Sequence, residues 1–522
     1  MKAPPEVFRP ATSRDSRQII LVFIYSLVLS FVIRLPFFFP DVIEWDESTY
    51  ILWGQSVLDG HLPYTEIWGF KPPLAFVFYA CAIGLLGKSI VSVRIAGTIC
   101  VALSAFFTYL TGKALWDHRT GIISATLCIV LSSLIKSGQA VMTEHVALVP
   151  LVGALSLLVT RRPNTRIFFL AGILMGLATF VRINLAYVAV FTGIFIVISV
   201  FTETPRSIKY SLRGGIAYGF GGLFVLILIY LPYVFTGNQK LWWTSVVLAP
   251  LSYAGAQLSF LGAFKQHIQY IWKTISDIKQ PLFGIGALVW VGGLAGLSII
   301  TIQMRNAPRN KRLGSILLVV FLLSTTISVL KGGAAYEHYL IQVIPFMALA
   351  AAVFLNTFFL SNARWLIIGA ISIALVTSML SIIPEYKKML SRMLSGQPIT
   401  YGAGYDIAAY LKQENPSGEP VYMMTDHIVY WLLDEKPLSK STAHPSNISK
   451  EYLLNVLVGP GTTTEMELSK VLAKKPRYIV FKVSSLWYLS NKPAAMILLG
   501  DTLKTNYVLV NRIEGRQIFR RK

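Results

Sequence analysis

Charge is scarce in this sequence. Charged residues make up 14% of 522, and only 25 are acidic. That is too little polar surface to coat several water-soluble domains. Cysteine is scarcer still. Cys81, Cys100 and Cys128 all lie in apolar stretches without metal-ligand spacing, which makes them packing residues and leaves the redox compartment open. Neither a P-loop nor a Rossmann glycine fingerprint is present, so nothing points to a bound nucleotide. Internal repeats, low-complexity tracts and long linkers are missing as well.

What is abundant is apolar sequence: 54% of the residues are hydrophobic and the mean hydropathy is +0.59. The chain therefore needs lipid around most of its length. The net charge of +22 invites a nucleic-acid reading, but no recognition motif accompanies it. The basic residues stand in short clusters between apolar runs, where membrane topology accounts for them. Lys2, Arg9, Arg14 and Arg17 precede an apolar run over 19–39 that is longer than a signal-peptide core and lacks a small-residue cleavage site, so it stays attached as a first span.

With roughly 20 residues needed to cross the hydrocarbon, spans are expected near 19–39, 90–112, 120–138, 145–160, 167–181, 185–201, 214–235, 282–303, 313–330, 339–360 and 365–383, about eleven in all. The run from Pro72 to Leu86 is short and starts with two prolines. If it does not cross, the loops with Lys113 and Arg119, with Arg161, Arg162 and Arg166, with Arg206, Lys209 and Arg213, and with Arg305, Arg309, Lys311 and Arg312 all join the N-terminus in the cytoplasm, as the positive-inside rule asks. It is therefore read as a juxtamembrane helix. The loop 40–88, the region around Glu144, the turn at Arg182, the loop 236–280, the segment 331–339 and the C-terminus then face outward. From Pro384 onward the composition becomes that of a soluble domain: helix-like at 407–413 and 465–473, strand-like at 421–424, 478–483 and 507–513, a small α/β unit. The expected architecture is a polytopic α-helical membrane domain over 1–383 and a soluble extracytoplasmic α/β domain over 384–522.

The chemistry-bearing residues concentrate in the first outer loop. Trp45-Asp46-Glu47-Ser48-Thr49-Tyr50 sets two carboxylates where the chain leaves the membrane. They could be solvated charges at a helix start, since acids favour a first turn. Alternatively, one is a general base near a low-dielectric boundary and the other orients it or binds metal, because neighbours on a helix point in different directions. Further on, Gly69-Phe70-Lys71-Pro72-Pro73-Leu74 places a lysine directly before a doubly proline-locked helix start, either a snorkelling interfacial lysine or a cation for a phosphate leaving group. Arg182, in an otherwise apolar hairpin, is either a headgroup contact or a functional cation facing a phosphate. Arg94 and Lys331 are weaker candidates of the same kind and read first as interfacial anchors; Trp242 and Trp243 read as an aromatic belt ahead of a sugar-stacking platform.

Asp46-Glu47 followed by Leu62-Pro63-Tyr64 and Lys71-Pro72-Pro73-Leu74 resembles the bacterial protein-mannosyltransferase-like branch of the GT-C glycosyltransferases (family 39 or 83 type), which includes the lipid A aminoarabinose transferases. The resemblance implies a GT-C fold, a polyprenyl-phosphate sugar donor, and a glycolipid, polysaccharide or protein acceptor. It also implies an address in the bacterial inner membrane with the C-terminal domain in the periplasm. It makes Asp46 the base, with Glu47 beside it, and assigns Lys71 to the donor phosphate. Glu144 in Met142-Thr143-Glu144-His145 matches a second acidic site where many relatives have aspartate. Tyr336-Glu337-His338-Tyr339 resembles a late aromatic and histidine motif near the donor pocket, which brings Tyr336 and His338 to the phosphate side with Arg182. Some branches use a divalent metal and others do not, so metal stays open. Glu144 and His145 are adjacent rather than a helical turn apart, so they do not share a ligand face. A lipid or polysaccharide transporter or flippase is the competing class. It calls for charges near the bilayer midplane on broken helices, usually with repeated halves, whereas the charges here are expected at one face. A non-catalytic envelope scaffold would leave the paired Asp-Glu and Lys-Pro-Pro-Leu motifs without a use.

Overall fold

A computed structural model of the chain describes residues 13–203, 208–256, 258–277, 282–359 and 364–522. Lys2, Arg9 and Arg206 lie outside the described residues. The first part of the chain runs through helices α1 (Ser13–Arg34), α2 (Trp45–Leu58), α3 (Pro73–Leu86), α4 (Ile90–Leu115), α5 (His118–Leu134), α6 (Thr143–Thr160), α7 (Thr165–Val181), α8 (Ala186–Glu203) and α9 (Ile208–Phe235). It continues with α10 (Gln239–Trp243), α11 (Ala249–Gly255), α12 (Phe260–Ser276), α13 (Phe283–Asn306), α14 (Arg309–Leu330), α15 (Ile344–Phe359), α16 (Arg364–Leu380) and α17 (Ile383–Leu394).

Among the described residues, seven helices are long and apolar enough to cross a membrane unaided: those over 15–38, 90–115, 143–160, 212–235, 283–306, 309–330 and 368–394. Shorter apolar helices occupy the expected spans at α5, α7, α8 and α15. Two boundaries differ from expectation for local reasons. Pro36 removes a backbone donor, and residues 35–38 tighten into a 3₁₀ turn at the end of α1. The run expected at 339–360 is likewise broken, because residues 337–342 form a 3₁₀ turn before α15.

The chain divides into two compact units, residues 1–37, 95–229 and 258–388 in one, and residues 38–94, 230–257 and 389–522 in the other. In the first, α13 packs along α15, α6 along α7, and α5 along α15. Glycine permits the closest approaches: a Cβ on Gly296 would fall 1.8 Å from the Ala350 carbonyl oxygen. An ion pair between Asp15 and Lys113 (2.8 Å) sets the start of α1 beside the end of α4, as expected if both lie on one side of the bilayer.

The second unit combines the 38–94 loop with the C-terminal region. α3 has 14 residues, about 21 Å at 1.5 Å per residue, short of the roughly 30 Å of hydrocarbon. It packs on α2 instead: Phe76 stacks on Trp53 at 4.3 Å, and Gly54 lets the helices meet where a Cβ would stand 2.7 Å from the Tyr79 backbone.

The C-terminal region adds α18 (Ala403–Glu414), β1 (Val421–Met423), α19 (Ile428–Leu432), α20 (Pro445–Ser449), α21 (Glu451–Leu457), α22 (Thr464–Ala473), β2 (Tyr478–Lys482), α23 (Pro493–Asn506), β3 (Tyr507–Ile513) and β4 (Arg516–Arg521). Its sheet has the order β1-β2-β4-β3, with β1 parallel to β2 and the other pairs antiparallel. Glu514 and Gly515, both at positive φ, close the β3–β4 hairpin in the two-residue form that suits strand twist. Tyr422, Ile479, Phe481, Leu468, Val471 and Leu499 build the core beneath it. The expected strands and two helices are present. β4 (Arg-Gln-Ile-Phe-Arg-Arg) and α23 are additional, the strand being too charged to read as one.

Candidate functional site

In the second unit the site begins at the N-terminus of α2. Glu44 caps the helix, its side chain accepting from the Asp46 N–H at 2.7 Å. Asp46 and Glu47 thus sit in the first turn, where the helix dipole favours negative charge. Successive residues then diverge, and their fates differ. Glu47 is fully buried and accepts two hydrogen bonds from the Arg94 guanidinium, each 2.6 Å. Arg94 also donates to the Asp41 carbonyl at 2.9 Å. The expectation that Arg94 anchors the interface is thereby corrected: at 0% exposure it neutralises a buried acid. Glu47, expected beside the base, is engaged by this pair.

Asp46 keeps 25% of its side chain exposed. Tyr50 donates to Oδ2 at 2.7 Å, and His444 Nε2 lies 2.9 Å from Oδ1. Lys71 begins the chain's entry into α3; its carbonyl accepts from the Tyr64 hydroxyl at 2.7 Å, and its ammonium lies 5.6 Å from the Phe70 ring centre. Lys450 lies 4.5 Å over the Tyr253 ring. Burial pushes the Lys450 ammonium down to about 8, with Lys71 pushing the same way and Asp46 opposing. Asp46, Lys71 and Lys450 therefore share one electrostatic neighbourhood.

The first unit holds a second polar centre. Arg34, fully buried, donates to the carbonyls of Gly138, Gln139 and Ala140 and so ties down the loop before α6. Glu144, in the first turn of α6, is fully buried. Arg182, where α7 ends, reaches Glu144 Oε1 at 2.5 Å and the Thr143 hydroxyl at 2.9 Å, with its guanidinium 4.9 Å over the Tyr339 ring. His338 Nε2 stands 3.8 Å from the same carboxylate oxygen, and Tyr336 stacks on the His338 ring at 5.6 Å. Three segments expected at the outer face thus meet, although Arg182 is directed to Glu144 rather than left to a phosphate. His145 turns away from Glu144 to the Ser132 carbonyl, 3.3 Å away. Lys331 contacts the Phe260 ring. Trp242, expected in an aromatic belt, is buried against Tyr230, while Trp243 is exposed.

Among the described residues no three His, Cys, Asp or Glu side chains gather around a point. Asp46 with His444, and Glu144 with His338, each supply two donors, one short of a three-ligand protein site.

Within this frame the family model described as dolichyl-phosphate-mannose-protein mannosyltransferase matches residues 70–235. Matching solved structures include ArnT from Cupriavidus metallidurans in the apo state, with a TM-score of 0.57 at 14% identity, covering 97% of this chain and 98% of that one. The chain has the GT-C glycosyltransferase fold. The same GT-C fold appears in ArnT bound to undecaprenyl phosphate (TM-score 0.56, 13% identity, 98% of both chains). It appears again in the archaeal oligosaccharyltransferase AglB from Archaeoglobus fulgidus in complex with an inhibitory peptide and a dolichol-phosphate (TM-score 0.50, 13% identity, 98% of this chain and 75% of that one). No curated protein sequence matches the chain.

Reasoning from sequence missed two residues that stand at Asp46, His444 and Lys450. Both lie about 400 positions downstream of it, in a region without a motif of its own. The only local signal was His444-Pro445-Ser446, a helix start with proline at its first position.

Proposed function

We propose that this protein transfers a sugar from a polyprenyl-phosphate carrier to an acceptor hydroxyl at the outer face of a bacterial inner membrane, with inversion at the anomeric carbon. The observation that carries the reading is the half-open Asp46 carboxylate, held by Tyr50 and His444 in the electrostatic neighbourhood of Lys71 and Lys450. Asp46 takes the proton of the acceptor hydroxyl as its oxygen attacks the sugar carbon from the side opposite the phosphate. The phosphate leaves with the bonding electrons, and Lys71 and Lys450 balance the charge that builds on it. A phosphate needs charge stabilisation more than protonation, which suits lysines better than a second acid. The resemblance assigns Glu144, Arg182, Tyr336 and His338, the polar centre of the first unit, to donor binding.

Mass spectrometry of envelope glycolipids and glycoproteins from cells with and without the protein tests this reading. The loss of one hexose, pentose or aminosugar mass is expected, restored by the wild type and not by Asp46→Asn. Restoration by Asp46→Asn at normal levels of folded protein would remove the base. Substrate counterflow in vesicles with no covalent product would favour the flippase instead.

A further inference from the structure

The neighbourhood of Asp46 contains a residue that composition and motif did not indicate. His444 belongs to the C-terminal region, and its surroundings determine what its ring can do. The Ser446 N–H donates to Nδ1 at 3.1 Å, so Nδ1 is an acceptor and the ring proton resides on Nε2. Nε2 faces Asp46 Oδ1 at 2.9 Å. The segment bearing this histidine is fastened on both sides. Thr49 of α2 donates to the Ala443 carbonyl at 2.7 Å, and the Asn447 amide donates to the Trp68 carbonyl at 3.1 Å. The ring is 15% exposed, so its orientation is set by the protein rather than by solvent.

Resting on the assignment of Asp46 as base, we infer that His444 is a positioning residue through which the C-terminal region completes the catalytic loop. His444 donates from Nε2 to Oδ1 while Tyr50 donates to Oδ2. The carboxylate is then held at both oxygens, and a quarter of its side chain stays exposed toward an acceptor hydroxyl. During transfer the acceptor O–H proton passes to Asp46, the bond from acceptor oxygen to sugar carbon forms, and the bond from sugar carbon to phosphate oxygen breaks. His444 gives up no proton. With Nδ1 accepting from Ser446 and Nε2 turned to Asp46, the ring fixes the direction of the base.

The test uses membrane vesicles carrying the full-length protein and their own donor and acceptor pool, with product formation read per amount of folded protein. His444→Ala is expected to slow transfer by about 10–100-fold, the range typical of losing an orienting partner. His444→Gln, which keeps an N–H donor at the distance of Nε2, should recover most of that loss, and added imidazole should partly rescue His444→Ala. A wild-type rate in His444→Ala, with Asp46→Asn inactive, would overturn the inference and leave the base intact. An equal loss in the Ala and Gln variants that follows their melting temperatures would reduce His444 to a structural brace and overturn it too. Transfer by Asp46→Asn would remove the base reading and this inference with it. Should His444→Ala not fold, ¹⁵N-histidine spectra of the wild type at neutral pH decide: a proton on Nε2 supports the inference, and a proton on Nδ1 overturns it.

Discussion

The two polar centres solve the same electrostatic problem in opposite ways. In the first unit the Glu144 carboxylate is fully buried and balanced by a formal charge, the Arg182 guanidinium. Glu47 repeats that solution with Arg94 in the second unit. Asp46, its sequence neighbour, is instead held by a tyrosine hydroxyl and a histidine N–H and stays partly exposed. A carboxylate paired with a guanidinium in the interior is committed to that charge, whereas one oriented by a hydroxyl and an imidazole stays within reach of solvent. In the proposed reaction that difference separates the buried, paired carboxylates from Asp46, the proposed base.

Replacing the carboxylates breaks or sharpens this contrast. Asp46→Asn should lower transfer by about 10²–10⁴-fold, the usual share of a general base, while the melting temperature stays near that of the wild type; a large loss of stability instead would place Asp46 with the structural pairs. Lys71→Ala is expected to cost about 10²–10³-fold in turnover, as for removal of a charge-stabilising donor, measured on purified protein at saturating donor. Arg94→Met should act on folding first: with Glu47 left unpaired in the interior, unfolding measurements should find a loss of about 3–5 kcal/mol. Glu144→Gln strands Arg182 in the same way, and a comparable loss is expected there. The smallest effect concerns Lys450. Its ammonium titrates near 8, so transfer should decline as pH rises through that value and the charge is lost. Lys450→Arg, which stays charged, should move the alkaline limb upward. An unchanged limb would take Lys450 out of the phosphate contacts.

Both the helical membrane architecture and the place of Asp46 in the first turn of α2 were legible because they depend on local signals: apolar runs of spanning length and a short acidic motif at a helix start. Sequence also marked Pro72–Leu86 as a short apolar run, and it forms the 14-residue α3. Burial of Arg94 was not legible, because an arginine at a helix start reads the same whether it meets lipid headgroups or a carboxylate 47 positions away. Arg182 was singled out correctly as a costly charge, yet its partner Glu144 lies 38 positions back along the chain, so only the packing of α6 beside α7 could reveal the pair.

The C-terminal region shows where the division falls. Its composition marked it as a separate α/β domain, and β1, β2, β3, α18 and α22 form where periodicity put them. Composition carries no information about partners, and tertiary structure made the region one compact unit with the 38–94 loop. Sequence alone determined that this chain enters a membrane many times and carries a carboxylate and a lysine in the loop after its first apolar run, because hydropathy and charge act residue by residue. Tertiary structure alone decided which carboxylate is paired with a guanidinium, which is held by a hydroxyl and an imidazole, and that His444 and Lys450 stand at the one that stays partly exposed, because hydrogen bonds and ion pairs depend on distances that chain separation does not encode.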